Sequence, residues 1–201
     1  MTELLIATRN KKKLGEIEEL LNDLPIKITS LFDYPDCPQI VEDGKTFHAN
    51  AVKKAVTIAQ FTGKLVMGED SGLEVKALGH QPGVYSARYS GEDATDQKNN
   101  AKLLRALQGL PLIKRQARYR CFVALADKFR VIDVVSGSCS GLINLRSKGK
   151  NGFGYDPLFL IPRHGKTFGE LDGTVKAKLS HRAHALKKFR RVIEKYFESL
   201  P

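Results

Sequence analysis

The 201-residue chain has no tryptophan, only three cysteines, and no apolar run approaching the ~20 residues that a bilayer-spanning helix needs. A membrane-spanning role is therefore not expected. Cys37, Cys121 and Cys139 are odd in number and widely separated, with no zinc-ligand spacing. The last two stand in strand-like runs, where a thiol serves as a small buried hydrophobe. The opening Met1-Thr2-Glu3 lacks the basic and apolar segments of a secretory leader, and a reduced cytoplasm is the expected home. No linker, repeat or low-complexity stretch interrupts the chain, so one domain over 1–201 is expected, large enough for a sizeable core.

Positive charge is plentiful: 33 Lys and Arg face 22 Asp and Glu, a formal net charge of +11. Such an excess suits a polyanionic partner, either nucleic acid or nucleotide. Lys114, Arg115, Arg118 and Arg120 form one group. Lys187, Lys188, Arg190, Arg191 and Lys195 form another, which alternates with an apolar stripe and reads as a solvated helix face. Charge alone would favour a nucleic-acid-binding module. Acidic and glycine–aromatic motifs, rather than a basic stripe interleaved with aromatics, dominate the chain, so neither nucleic acid nor a membrane is the expected partner.

The most informative stretch is Val66-Met67-Gly68-Glu69-Asp70-Ser71-Gly72-Leu73, where two carboxylates leave an apolar run and enter a small-residue turn. The run reads as a buried strand, which places Glu69 and Asp70 at its end, in a cleft. The turn after Asp70 could swing both acids toward one ion, and hard oxygen ligands of this kind suit Mg²⁺ with a phosphate substrate. An acidic pair before Ser-Gly is also what a solvated turn looks like.

Periodicity and caps predict the elements around it. Residues 3–7 read as a buried strand and 11–21 as a helix, with Leu14, Ile17, Leu20 and Leu21 at helical spacing. A second helix is expected over 47–61, capped by Thr46, and a strand over 64–68. Asp96 can cap a helix running to Leu107. Strands at 118–126 and 129–139, separated by Asp127-Lys128, suggest an antiparallel hairpin. Ser180 stands as N-cap of a final helix with Leu186, Phe189, Ile193 and Phe197 facing inward. Crossover helices together with a hairpin predict an α/β fold with a mixed sheet.

Between the first strand and first helix lies Thr8-Arg9-Asn10-Lys11-Lys12-Lys13, where unpaired backbone N–H groups and the helix dipole would favour an anion. The Gly-x-x-x-x-Gly-Lys spacing of a Walker loop is absent. Further on stand Asn151-Gly152-Phe153-Gly154-Tyr155-Asp156-Pro157 and Ser180-His181-Arg182. These segments, with the acidic stretch and Pro82-Gly83-Val84-Tyr85-Ser86-Ala87-Arg88-Tyr89-Ser90-Gly91, occur in an order and at separations that resemble the Ham1 family of inosine triphosphatases. The resemblance runs from about Ile6 to about Leu186.

That resemblance implies an elongated mixed sheet flanked by helices, in two lobes with a central nucleotide cleft, commonly as a homodimer. It implies Mg²⁺-dependent hydrolysis of deaminated purine nucleoside triphosphates, (d)ITP and XTP, to monophosphate and pyrophosphate. On its pattern Thr8, Asn10 and a catalytic Lys13 contact phosphate, Asp70 is the general base, and Ser71 touches substrate. Glu42, Glu69 and Asp70 are the metal ligands it suggests. Phe153 would stack on the purine, with Gly154, Tyr155 and Asp156 around it. Lys176, His181 and Arg182 would contact the nucleotide, the last two reading the 6-oxo group. The chain departs from the pattern at Ala177, where asparagine is common, and at Glu69, where aspartate is; His80 stands where glycine is expected. A pyrophosphatase for other modified nucleotides is the alternative within the same chemistry.

Overall fold

The computed structural model describes residues 2–199. The strand β1 (Thr2–Ile6) pairs in parallel with both β2 (Ile26–Ser30) and β3 (Leu65–Val75). Parallel neighbours need crossovers, and α1 (Lys11–Leu21) and α2 (Phe47–Thr62) supply them. After α3 (Asp96–Ala106) come β4 (Gln116–Ala126) and β5 (Val131–Ile143), joined by a turn in which Asp127 Oδ1 accepts from the amides of Phe129 and Arg130. Antiparallel pairing continues through β6 (Phe159–Ile161) and β7 (Lys166–Thr167). Then follow α4 (Gly173–Leu179) and α5 (His181–Glu198). The strand order is β2-β1-β3-β4-β5-β6-β7, a mixed sheet of the expected α/β class.

The chain divides into two compact units: residues up to Asp70 with Cys121–Gly137 and Arg182 onward, and Ser71–Arg120 with Ser138–His181. In the first unit the sheet is buried on both sides. Leu4 and Ile6 of β1 pack with Ile17 and Leu21 of α1 and with Leu186, Phe189 and Ile193 of α5. Leu5 and Ala7, of opposite parity, pack with Ala51, Ala55, Ile58 and Ala59 of α2. Burial of both faces explains the unbroken apolar run of β1. On α5 the Leu, Phe and Ile of this stripe each contribute about 1.5–3 kcal/mol by leaving water. The second unit has one core, built on Leu73 and Val75 of β3, Leu103, Leu107, Tyr119, and the stacked Phe159 and Phe168 rings.

The caps are mostly those that the sequence suggests. Thr46 accepts from the Ala49 amide, and Gly63 ends α2 in left-handed backbone, its N–H bonded to Ala59 O. For α3 the cap is Thr95, which accepts from the Lys98 amide, one place earlier than the expected Asp96, which is instead the first helical residue. The hairpin strand β5 begins at Val131, two residues past the expected 129. His80, where the pattern leads one to expect glycine, has a positive φ of 69°.

The largest departure concerns the acidic stretch. The expected strand end at Gly68 is not there: β3 runs on through Glu69, Asp70 and Ser71 to Val75. Gly68 is not a breaker but a contact point. A Cβ at that position would lie 2.2 Å from Ala51 O and 2.6 Å from Ala55 N, so only glycine lets β3 and α2 come this close.

Candidate active site

Because β3 remains extended, Glu69 and Asp70 point to opposite faces, following the parity of Met67 and Val66. The idea that a turn brings both acids to one ion is thereby overturned. On the α2 face, Lys54 Nζ lies 2.6 Å from Glu42 Oε1 and 3.3 Å from Asp70 Oδ1, and donates to the main-chain oxygen of Glu69 at 3.0 Å. Asn50 Nδ2 donates to Asp70 Oδ2 at 3.1 Å, while Asn50 Oδ1 accepts from the Gly44 amide at 2.8 Å. One helix turn of α2 thus holds Asp70 from two sides and tethers the loop that carries Glu42.

Burial is the main influence on Asp70 and raises its carboxyl above the ordinary aspartate value; Lys54 opposes this in part. For Lys54, burial pulls the ammonium down, but Asp70 and Glu42 outweigh it and the net shift is upward. A buried acid moved toward neutral, beside a fixed cation, is suited to taking a proton from water.

The α1/α5 face carries a second cluster. Lys13 Nζ donates to Glu69 Oε2 at 2.9 Å and Arg182 Nη2 to Glu69 Oε1 at 3.1 Å, and Arg182 Nη1 is paired with Glu16. The Cys121 thiol lies 3.3 Å from Glu69 Oε1, and burial drives it far above its ordinary value. Arg182 is 1 % exposed, and its carboxylate partners overcome the burial that would discharge it. The structure therefore places Arg182 with Glu69 and Lys13.

The start of α1 also differs from expectation. Asn10 Oδ1 accepts from the Lys12 and Lys13 amides, Leu14 N bonds to Asn10 O, and Thr8 Oγ1 accepts from the Asn10 amide. Most of the N–H groups expected to hold an anion are thus taken by the cap. Of the side-chain donors expected there, the Lys13 ammonium is bonded to Glu69, and Asn10 is exposed.

In the second unit the glycine–aromatic segment forms a tight turn around Asp156. Asp156 Oδ2 accepts from the Phe153 amide at 2.9 Å and from Lys176 Nζ at 2.7 Å, and Tyr119 OH donates to Oδ1 at 3.4 Å. Gly152 has a φ of 75°, and a Cβ there would sit 2.0 Å from Asp156 Oδ2. Lys176 Nζ lies 4.6 Å from the centroid of the half-buried Phe153 ring, a cation–π contact. His181 stacks on Tyr119 at 4.6 Å with the rings 9° from parallel. Tyr155 is core: its hydroxyl donates to Ser86 O at 2.8 Å. Ser71 follows Asp70 on β3, half-buried.

Phe153, Gly154, Asp156, Lys176 and His181 therefore gather in one unit, and Lys13, Glu42, Glu69, Asp70 and Arg182 in the other. Among the described residues no three His, Cys, Asp or Glu side chains are grouped as for one metal ion; Glu42 and Asp70 meet at Lys54, while Glu69 faces Lys13 and Arg182. Sequence reasoning missed Lys54 and Asn50. The signal was available: both interrupt the buried Ala51-Ala55-Ile58 stripe of α2, where an amide or ammonium must have a partner.

A family model described as the Ham1 family matches residues 4–192. The chain belongs to the Ham1 family. It is 50% identical over 194 residues to the dITP/XTP pyrophosphatase of Shouchella clausii, spanning 96% of this chain and 98% of that protein. The dITP/XTP pyrophosphatase of Geobacter sulfurreducens is also 50% identical, over 92% of this chain and 94% of its own length. Among solved structures, a Ham1 protein from Coxiella burnetii superposes with a TM-score of 0.89 at 39% identity, over 97% of this chain and all of its own. Ham1 membership and the mixed-sheet fold thus rest on likeness along nearly the whole chain.

Proposed function

We propose that this Ham1 chain is a hydrolase that cleaves dITP, ITP and XTP to the monophosphate and pyrophosphate, removing deaminated purines from the nucleotide pool. The observation that carries the reading is near-full-length likeness to dITP/XTP pyrophosphatases, joined to a buried Asp70–Lys54–Glu42 cluster. Asp70 takes the proton of a water whose oxygen attacks the α-phosphorus. The bond from that phosphorus to the bridging oxygen breaks, and pyrophosphate departs. Lys13 and the Asn10 amide contact the phosphates. In the second unit Phe153 stacks on the purine, held by Asp156 and Lys176, with His181 serving the 6-oxo group.

The donor set fits a hard cation. Glu42 and Asp70 already converge on one positive point, Lys54 Nζ, and Mg²⁺ characteristically takes one or two carboxylates plus phosphate oxygens. Mg²⁺ held by this pair would supply neutralising charge for the departing pyrophosphate. Glu69, engaged by Lys13 and Arg182, serves instead to fix those cations.

Three cysteines without a disulfide fit a cytoplasmic enzyme. No helix among the described residues is long and apolar enough to cross a membrane. A homodimer follows from the same family reading, and light scattering on the purified chain tests it. Hydrolysis of dITP in heavy-oxygen water tests the chemistry: the label is expected in dIMP, and its appearance in pyrophosphate would mean attack at the β-phosphorus.

A further inference from the structure

The turn that carries Phe153 is also gripped by side chains of α3. Gly154 N donates to Asp96 Oδ2 at 2.8 Å, and Gly154 O accepts from Asn100 Nδ2 at 2.9 Å. Asp96 and Asn100 lie four residues apart on α3, hence on one helix face. Gly154 itself has a φ of 62°, in the left-handed region, with open space where a Cβ would be. The two peptide groups flanking its Cα are therefore both fixed by side chains of one helix, while Asp156 fixes the amide of Phe153. Among the described residues the buried Asn100 Oδ1 has no hydrogen-bond partner. An unmet oxygen is a cost to the fold, so the grip on Gly154 is what the amide provides.

We infer that Asp96 and Asn100 are positioning residues for base recognition, acting through the Gly154 backbone to hold the Phe153 ring in its stacking orientation. The inference deepens the functional proposal and rests on its assignment of Phe153 as the base-stacking residue. Neither side chain needs to touch nucleotide. Loosening the turn lets the ring sample other directions, and binding then has to reimpose order.

The test is a double-mutant cycle on dITP hydrolysis with the full chain. Phe153→Ala is expected to raise KM about tenfold through lost stacking. The pair Asp96→Ala with Asn100→Ala is expected to raise KM about three- to tenfold with kcat nearly unchanged, from two lost hydrogen bonds. In the Phe153→Ala background the same pair should change KM no further, because its effect passes through the ring. Asp96→Asn, which keeps an acceptor for the Gly154 amide, should restore most of the affinity lost in Asp96→Ala. A merely structural role would lower the active fraction, and hence kcat, without this KM pattern. If Phe153→Ala raises KM but the α3 pair leaves it unchanged, or adds independently, the positioning role is overturned and stacking stands. If Phe153→Ala leaves KM unchanged, the stacking assignment and the inference fall together. Circular dichroism confirms folding of each variant, and Asp96→Ala, at an exposed position, provides the test should the pair unfold.

Discussion

At the scale of single residues, the acidic pair is divided by the pleat of one strand into two tasks. Asp70, raised by burial and flanked by Lys54 and Asn50, is the side chain we propose for proton transfer. Asp70→Asn keeps the shape and removes the base, so turnover should fall by roughly 10²–10⁴-fold with the fold intact. Steady-state kinetics with a thermal melt checks this, and near-native turnover would refute the role. Arg182, next to His181 in sequence, is held by two carboxylates. Its guanidinium is buried between Glu16 and Glu69. Arg182→Met strands those carboxylates and should cost about 3–5 kcal/mol of stability, readable by urea denaturation. An unchanged midpoint would show that the pair contributes nothing to the fold.

At the scale of elements, β3 is the piece on which the site depends and the piece least legible in sequence. Gly-Glu-Asp-Ser-Gly has the composition of a turn, yet close packing against α2 and two ion-pair clusters keep it extended. Tertiary contacts override local propensity there. Gly68→Ala drives a methyl into the α2 backbone, which cannot yield, and should cost about 1–3 kcal/mol or more. A melting temperature equal to that of the native chain would disprove the close approach. Helices were readable because their stripes and caps are local: Thr46 caps α2 as the sequence suggests, and α5 begins at His181, directly after Ser180. The three-residue β6 and two-residue β7 are too short to carry a period, and α4 was missed for the same reason. Lys54 escaped notice because its partners, Glu42 and Asp70, are distant in sequence, and only the breach of an apolar stripe marks it.

At the scale of the whole molecule, each compact unit carries half of the expected chemistry, acids and cations in one, aromatic loop in the other. The first unit also holds an acid-sensitive tie. Glu3 of β1 accepts from Thr29 of β2, from Tyr34 and from Lys64 next to β3. Burial alone would raise its carboxyl, but these donors outweigh it and bring it down to about 2 from 4.5. A depressed carboxyl stabilises the fold above its unfolded value, and that stability is lost as pH falls from 4.5 toward about 2. Glu3→Gln should therefore be less stable than the native chain at neutral pH, with the gap closing across this window. Melting curves at stepped pH check it, and a constant gap would contradict the linkage.

The central claim is tested most directly by pyrophosphate release from dITP, XTP, dGTP and dATP, with Mg²⁺ and then with EDTA. The account predicts rapid release from dITP and XTP, little from dGTP and dATP, and loss of all release in EDTA. A flat rate across the four bases would contradict base recognition by the Phe153 loop and His181, and no release from any of them would contradict the enzyme assignment itself.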